Sequence, residues 1–300
     1  MAVRGDELGA HMSIAGGLPL ALERGHALDC FAVQIFVKNQ RQWAARPLAD
    51  AEARAFRAAR RATGIPWAFA HGSYLINLAT PDAAGWARAV DAFTDELERA
   101  EALGLGCVAI HPGSHLGTGV ETGLARVAAA VGEALRRTRG YRVRIALENT
   151  AGGGGTLGRT FAELGALLDR TGRASRVGVC LDTCHLFAAG YDVRTAVGYR
   201  AAMAECARVV GLDRVLAFHL NDARAPLGSG LDRHEHIGRG YLGLAPFRLL
   251  LNDRRFRAVP KVLETPKDPE PAADVRNLRT LRRLRDVSAR RSRRPGGRAR

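Results

Sequence analysis

The chain has 300 residues, 47% of them hydrophobic, and 45 Lys or Arg against 30 Asp or Glu give it a net charge of +15. That length and apolar content suit one large core, arranged either as two ordinary domains or as a single α/β barrel. No run of about 18 apolar residues is present to span a membrane, and the N-terminal MAVRGDELGAHMS lacks the apolar segment of a secretory signal, so a cytoplasmic protein is expected.

In chain order, short β-rich runs recur: ELGAH, CFAVQIF, PWAFAH, CVAIHPG, VRIALENT, VGVCLDTCH, VLAFHLND and PKVLETP. Between them, Ala/Leu/Arg segments with 3.6-type periodicity predict helices, among them 51–61 (closed by Gly64), 86–103 and 160–170 (closed by Gly172). Strand and helix alternating eight times suit an α/β protein of the TIM (β/α)8 barrel type, a single domain over 1–285. After Pro266 one more helical segment follows, then SARRSRRPGGRAR, so 286–300 reads as a basic disordered tail. From Arg276 to Arg300, 11 Arg stand against one Asp, about two thirds of the net charge, and this excess favours a polyanionic partner. Only Lys38, Lys261 and Lys267 are lysines, a compositional bias that carries little functional weight.

Cys30, Cys107, Cys180, Cys184 and Cys206 are odd in number and form no C-x-x-C pair, so buried thiols are expected rather than disulfides or a sulfur-based zinc site. Gly153, Gly155 and Gly158 match the dinucleotide fingerprint G-x-G-x-x-G. The match follows the fifth strand in a glycine-crowded segment, and it reads better as a flexible loop at the barrel mouth.

A barrel places its chemistry at the C-terminal ends of its strands. Those ends carry His71, His111, Glu148, Asp182 with His185, His219 and Glu264, and the loop after the seventh strand adds Asp232 and His234. Any one of these alone is an ordinary hydrogen-bonded residue. Together they put four carboxylates beside imidazoles in one mouth, a repulsion of roughly several kcal/mol unless cations neutralise it. Imidazole and carboxylate without thiolate suit Zn²⁺, with Mn²⁺ or Fe²⁺ as alternatives. Nine ligands exceed one tetrahedral site, which implies two or three ions. About +6 from three ions against the −4 of the carboxylates leaves a positive site that wants an anion, and a phosphodiester fits.

The motifs FVKNQRQW, HGSYLINL, HPGSH, LENTAG, GVCLDTCHLFAAGYD, HLNDA, LDRHEHIGRG and LETP stand in one order over Gly9 to Pro266. In this the chain resembles the endonuclease IV family of apurinic/apyrimidinic endonucleases. The resemblance implies a TIM barrel with three zinc ions that cleaves duplex DNA 5′ to an abasic site, leaving a 3′-hydroxyl and a 5′-deoxyribose phosphate, and that also cleans blocked 3′ ends. It puts His71 and His111 on one zinc, with Glu148 bridging to a second that takes Asp182, His219 and Glu264. His185, Asp232 and His234 would hold the third. Glu148, on the pair that carries the attacking hydroxide, is the residue assigned to catalysis. Arg41 in KNQRQW and Tyr74 and Leu75 in SYLIN look like DNA-probing residues that fill the stack when a baseless sugar turns outward. The expected partner is DNA with abasic or 3′-blocked damage, bound by a monomer. Arg224, and Arg239 where many relatives are acidic, depart from the family pattern, and the Arg-rich tail lies outside it. Two other readings stand beside this one: a xylose-isomerase-like sugar isomerase or epimerase, which leaves Asp232 and His234 unexplained, and a DNA-binding relative whose catalysis has lapsed.

Overall fold

The structure, a computed structural model, describes residues 7–267 and 272–285. The expected tail, 286–300, lies outside the described residues. Among the described residues the strands are β1 (Leu8–His11), β2 (Ala32–Ile35), β3 (Trp67–His71), β4 (Cys107–Ile110), β5 (Arg144–Glu148), β6 (Val177–Asp182), β7 (Val215–His219), β8 (Asp222–Ala223), β9 (His234–Glu235) and β10 (Lys261–Leu263). All but β8 and β9 close into a parallel barrel in the order β1-β10-β7-β6-β5-β4-β3-β2, with β2 paired back to β1. The TIM barrel expected from the alternation is thus present as one domain.

Helices α1 (Leu18–Ala27), α2 (Asp50–Thr63), α3 (Ala83–Leu103), α4 (Val120–Arg137), α5 (Phe161–Arg170), α6 (Thr183–Ala189), α7 (Ala196–Val209), α8 (Ala245–Asn252) and α9 (Ala272–Leu284) surround the barrel. The three segments chosen by periodicity are α2, α3 and α5, each within three residues of its expected start. Thr160, expected inside α5, is instead its N-cap, its hydroxyl accepting from the Glu163 amide at 3.1 Å. That is the position where a threonine side chain satisfies an otherwise unpaired helix N–H. Gly64 ends α2 at φ 68°, a left-handed conformation that costs a glycine little.

Side chains alternate across each strand, so every strand has an inward and an outward set. Ala32, Phe69, Cys107, Ala109, Ala146, Cys180, Leu216, Ala217 and Val262 form a cluster separate from the larger core, and all but Leu216 keep the inward alternation. Their neighbours Val33, Val108, Ile110, Ile145, Leu147, Val179 and Leu181 belong to the larger core shared with the helices. The interior is narrow. At Gly9 an added Cβ would lie 1.6 Å from the Ala32 carbonyl oxygen, so glycine is what lets β1 and β2 approach there. All five cysteines are buried and free, as expected from their odd number and the lack of a C-x-x-C pair. Among the described residues no helix is long and apolar enough to cross a membrane.

Candidate metal centre

Continuing the inward parity by two residues along each strand leads from the apolar filling to a polar layer. Phe69 leads to His71, Ala109 to His111, Ala146 to Glu148, Cys180 to Asp182, Ala217 to His219 and Val262 to Glu264. β1 and β2 complete the ring with His11 and Gln34, so each of the eight barrel strands delivers one polar side chain at the mouth.

The nine residues proposed from strand ends come together in three sets whose ligand atoms lie within 4.8 Å of one another. One is His71, His111 and Glu148; the second is Glu148, Asp182, His219 and Glu264; the third is His185, Asp232 and His234. Glu148 is shared by two of them. Cys184 also lies within 4.8 Å of Asp182 and His234. Burial pushes its thiol up to about 12, which keeps it protonated and a poor ligand at neutral pH.

Each carboxylate and imidazole is held by its own element. β6 ends at Asp182, whose side chain caps α6 by accepting from the His185 amide at 2.9 Å. The turn from strand to helix is what lets Asp182 and His185 face one cavity from different directions, since on a continuous strand they would point to opposite faces. β8 pairs with β9, opposing Ala223 to His234, and this short ladder carries His234 back over the mouth. Asp222 stabilises the same loop by accepting from the amides of Gly238, Gly240 and Leu242 at 2.9 to 3.0 Å.

Four imidazoles each have one ring nitrogen engaged outside the sets. His71 Nδ1 lies 2.7 Å from the Gly72 carbonyl, His185 Nδ1 2.9 Å from the Asn149 carbonyl, and His234 Nδ1 3.1 Å from the Glu264 carbonyl. In His219 the roles are reversed, with Nε2 2.7 Å from Gln34 Oε1 and Nδ1 2.9 Å from Glu148 Oε1. Each outer oxygen can only accept, so these contacts keep one imidazole proton outward and make the inward nitrogen the one that would give up its proton to a cation. The buried Nε2 atoms of His111, His185 and His234 have no hydrogen-bond partner, though each has a carboxylate oxygen within 3.4 Å. Orphaned inward nitrogens beside carboxylates are what a set of ligands for divalent cations presents, and the donor chemistry fits zinc.

The electrostatics show how the buried carboxylates and imidazoles balance one another. Burial would raise Glu148, but His219 and His111 hold its carboxyl well below the usual range. Burial likewise opposes and His219 and His11 outweigh it at Glu264, which is also held well below. For His185 burial would lower the pKa, but Asp182, Asp232 and Glu148 raise it well above the ordinary value; at His219 burial is outweighed by Cys180, Glu148 and Glu264. Burial opposes at Asp232 too, where His185 brings the carboxyl down to about 2.

The residues singled out as DNA-probing sit at the rim. Tyr74 is 61% exposed, with its ring 5.2 Å from that of His71 and 6.0 Å from that of His111. Leu75 is half-buried and Arg41 exposed. The two loops are tied together, because Ser73 Oγ donates to the Gln40 carbonyl at 2.7 Å while Glu96 of α3 accepts from the Ser73 amide at 3.2 Å. A cavity of about 240 Å³ opens beside them, lined by His71, Tyr74, Asn77, His111 and Ser114 among others. Of the two departures from the family pattern, Arg224 pairs with Glu235 at 2.9 Å and Arg239 is exposed. The glycine segment that mimics a dinucleotide fingerprint is a turn at this mouth, bridged by Ser114 and Thr156. Strand-end reasoning missed His11 and Gln34, although the inward parity of Gly9 and Ala32 points to both.

Residues 22–284 match the family described as the xylose isomerase-like TIM barrel, the class that the closed barrel and its ligand-lined mouth define. Within that class the similarity narrows. The chain is 49% identical over 279 residues to a probable endonuclease 4 of Geobacter sulfurreducens, covering 93% of this chain and 94% of that one. The crystal structure of endonuclease IV from Thermus thermophilus aligns with a TM-score of 0.82 at 40% identity, over 92% of this chain and 98% of that one. The chain belongs to the endonuclease IV family. A D-tagatose 3-epimerase-like protein shares the fold alone, at 17% identity and a TM-score of 0.66 over 92% of this chain and 98% of that one.

A pH profile follows for protein stripped of divalent ions with a chelator. The raised His185 and His219 contribute stability that is full below about pH 6.5 and is lost as pH rises through their folded-state pKa values. The depressed Glu148 and Glu264 contribute stability present above about pH 4.3 and lost as pH falls through theirs. His11, lowered by burial, offsets part of this on the acid side. Urea unfolding of the stripped protein is expected to be most resistant between about pH 4.5 and 6.5 and weaker on the alkaline side; a midpoint that rises from about pH 6.5 to 9 would contradict the pairing.

Proposed function

We propose that the chain is a zinc-dependent apurinic/apyrimidinic endonuclease that hydrolyses the phosphodiester 5′ to an abasic site in duplex DNA. The products are a 3′-hydroxyl and a 5′-deoxyribose phosphate, and the same centre removes blocking groups from damaged 3′ ends. The observation that carries this reading is the convergence of nine imidazole and carboxylate side chains in three sets, with the inward Nε2 atoms of His111, His185 and His234 unpaired, in a member of the endonuclease IV family.

Zinc bound by these residues supplies positive charge for the non-bridging and leaving oxygens of a phosphodiester and makes water acidic enough to attack at neutral pH. Glu148 would bridge two of three ions, with His71 and His111 on one side and Asp182, His219 and Glu264 on the other. His185, Asp232 and His234 would hold the third. Mn²⁺ or Fe²⁺ would be accepted by the same ligand set. The chain's own part is to keep each ligand's proton outward, to bury Glu148 from water and to present the rim residues to DNA.

A rival route, β-elimination through a Schiff base, needs a free amine. All three lysines are engaged elsewhere: Lys38 with Asp95, Lys261 with the carbonyls of Phe256 and Val259, and Lys267 with Asp274. On a duplex carrying one abasic site, the purified protein is therefore expected to leave a 3′-hydroxyl, with about three zinc ions per chain in the same sample. An unsaturated aldehyde at the 3′ end, or cleavage that survives exhaustive chelation, would overturn the mechanism.

Arg41, Tyr74 and Leu75 are assigned to stabilising the distorted duplex, filling space left by a baseless sugar. Each Ala substitution should weaken binding to abasic DNA about five- to a hundredfold, the effect of about 1–3 kcal/mol of stacking contact, with metal content unchanged because none is a ligand. Equal affinity in all three variants would return them to plain loop packing.

The protein is proposed to act as a monomer, with residues 286–300 as a separate basic tail that binds phosphates without sequence preference. Deleting 288–300 removes six Arg. The log–log salt dependence of DNA binding should then flatten by about 0.9 for each phosphate the tail neutralises, while single-turnover cleavage at saturation stays near that of the full chain. An unchanged slope would show that the tail does not touch DNA.

A further inference from the structure

Six of the eight inward side chains that ring the mouth belong to the ligand sets, and two, His11 and Gln34, belong to none. Gln34 is completely buried. Its amide nonetheless has every partner it needs. Oε1 lies 2.7 Å from His219 Nε2, and Nε2 lies 2.8 Å from His11 Nδ1 and in hydrogen-bond contact with Glu264 Oε1.

This arrangement allows one assignment of protons. A carboxylate oxygen accepts, so the Gln34 nitrogen faces Glu264 Oε1 and the Gln34 oxygen faces His219 Nε2. That oxygen also only accepts, so His219 carries a proton on Nε2. Its Nδ1, 2.9 Å from Glu148 Oε1 and 3.3 Å from Glu264 Oε2, is the nitrogen that would offer its lone pair to an ion held by the second set. His11 accepts through Nδ1, its ring 4.5 Å from that of Phe36, and so fixes the rotation of the Gln34 amide.

We infer that Gln34, backed by His11, is a positioning residue that orients two ligands of one ion at once: the ring of His219 through its outer N–H and the carboxylate of Glu264 through its second oxygen. The inference rests on reading the Glu148, Asp182, His219 and Glu264 set as a metal centre. A single uncharged side chain thereby controls one ion of the three. The hydrogen bonds of Gln34 reach neither of the other two sets, so its effect is local.

The test uses the full chain loaded with ¹¹³Cd²⁺ in place of zinc, read by ¹¹³Cd NMR and by competition with a chelator. The wild-type chain should give three resonances. Gln34→Leu, which keeps bulk and removes the amide, should move or abolish one resonance and leave two in place, with about 10- to 100-fold weaker retention of that one ion. Gln34→Met, a more flexible side chain, serves as a second variant in case the branched side chain disturbs folding. Three unchanged resonances with unchanged retention would overturn the inference. So would equal loss of all three from a Gln34→Met protein whose circular dichroism is native, because that is a structural effect and not positioning. A wild-type chain that binds no cadmium or zinc would instead overturn the metal reading itself, and the inference with it.

Discussion

Glu148 is fully buried, and the nitrogens of His71, His111, His185 and His219 stand 2.9 to 3.4 Å from its two oxygens. A carboxylate in that position without partners would cost several kcal/mol, by about the same logic that makes any lone buried charge intolerable. Everything around it answers that constraint. The imidazoles supply hydrogen bonds and opposite charge, and their own protons are drawn outward by carbonyl and amide oxygens that can do nothing but accept. The result is a cavity in which every inward imidazole nitrogen faces a carboxylate oxygen of Glu148 or Asp232.

The barrel makes this arrangement possible because it separates the layer that packs from the layer that reacts. Below the mouth the inward positions are small and apolar, mostly Ala and Cys, and they fill a narrow interior. One step higher along each strand the same face turns polar. Stability therefore rests on the interior filling and on the larger core between strands and helices, while the mouth carries the ionisable groups. Loops complete it from outside. Asn149 accepts from the Asp182 amide at 2.6 Å, and Asn221 donates to Asp182 Oδ2 at 2.6 Å and accepts from the Glu264 amide at 2.9 Å, so neighbouring ligand strands are tied together above the last ladder bonds. Such outer contacts hold the candidate ligands in register.

The rim is built with the same bracing. α3 lends Glu96 to the Ser73 amide and Asp95 to Lys38, and Ser73 in turn binds the Gln40 carbonyl. The loops that offer Arg41 and Tyr74 are thus held on one helix. Under the proposed function this bracing favours binding, since each side chain already ordered is one that binding does not have to order.

Much of the protein is legible in the order of its residues. Eight apolar runs alternating with amphipathic segments specify the strands, and the period-two alternation on each specifies which side chains face inward. His or carboxylate at the ends of those runs marks the mouth, and even His11 and Gln34 follow from the parity of β1 and β2. The grouping does not follow, because linear spacing says which strand end carries a residue and nothing of its neighbours across the barrel. His11 meets Glu264 across 253 positions, and Gln34 meets His219 across 185, only because the barrel closes β1 onto both β10 and β2 in a particular register. The choice of ring nitrogen also waits for the fold. A histidine's tautomer is set by the atom that accepts its proton, and for His219 that atom is the amide oxygen of a residue on another strand.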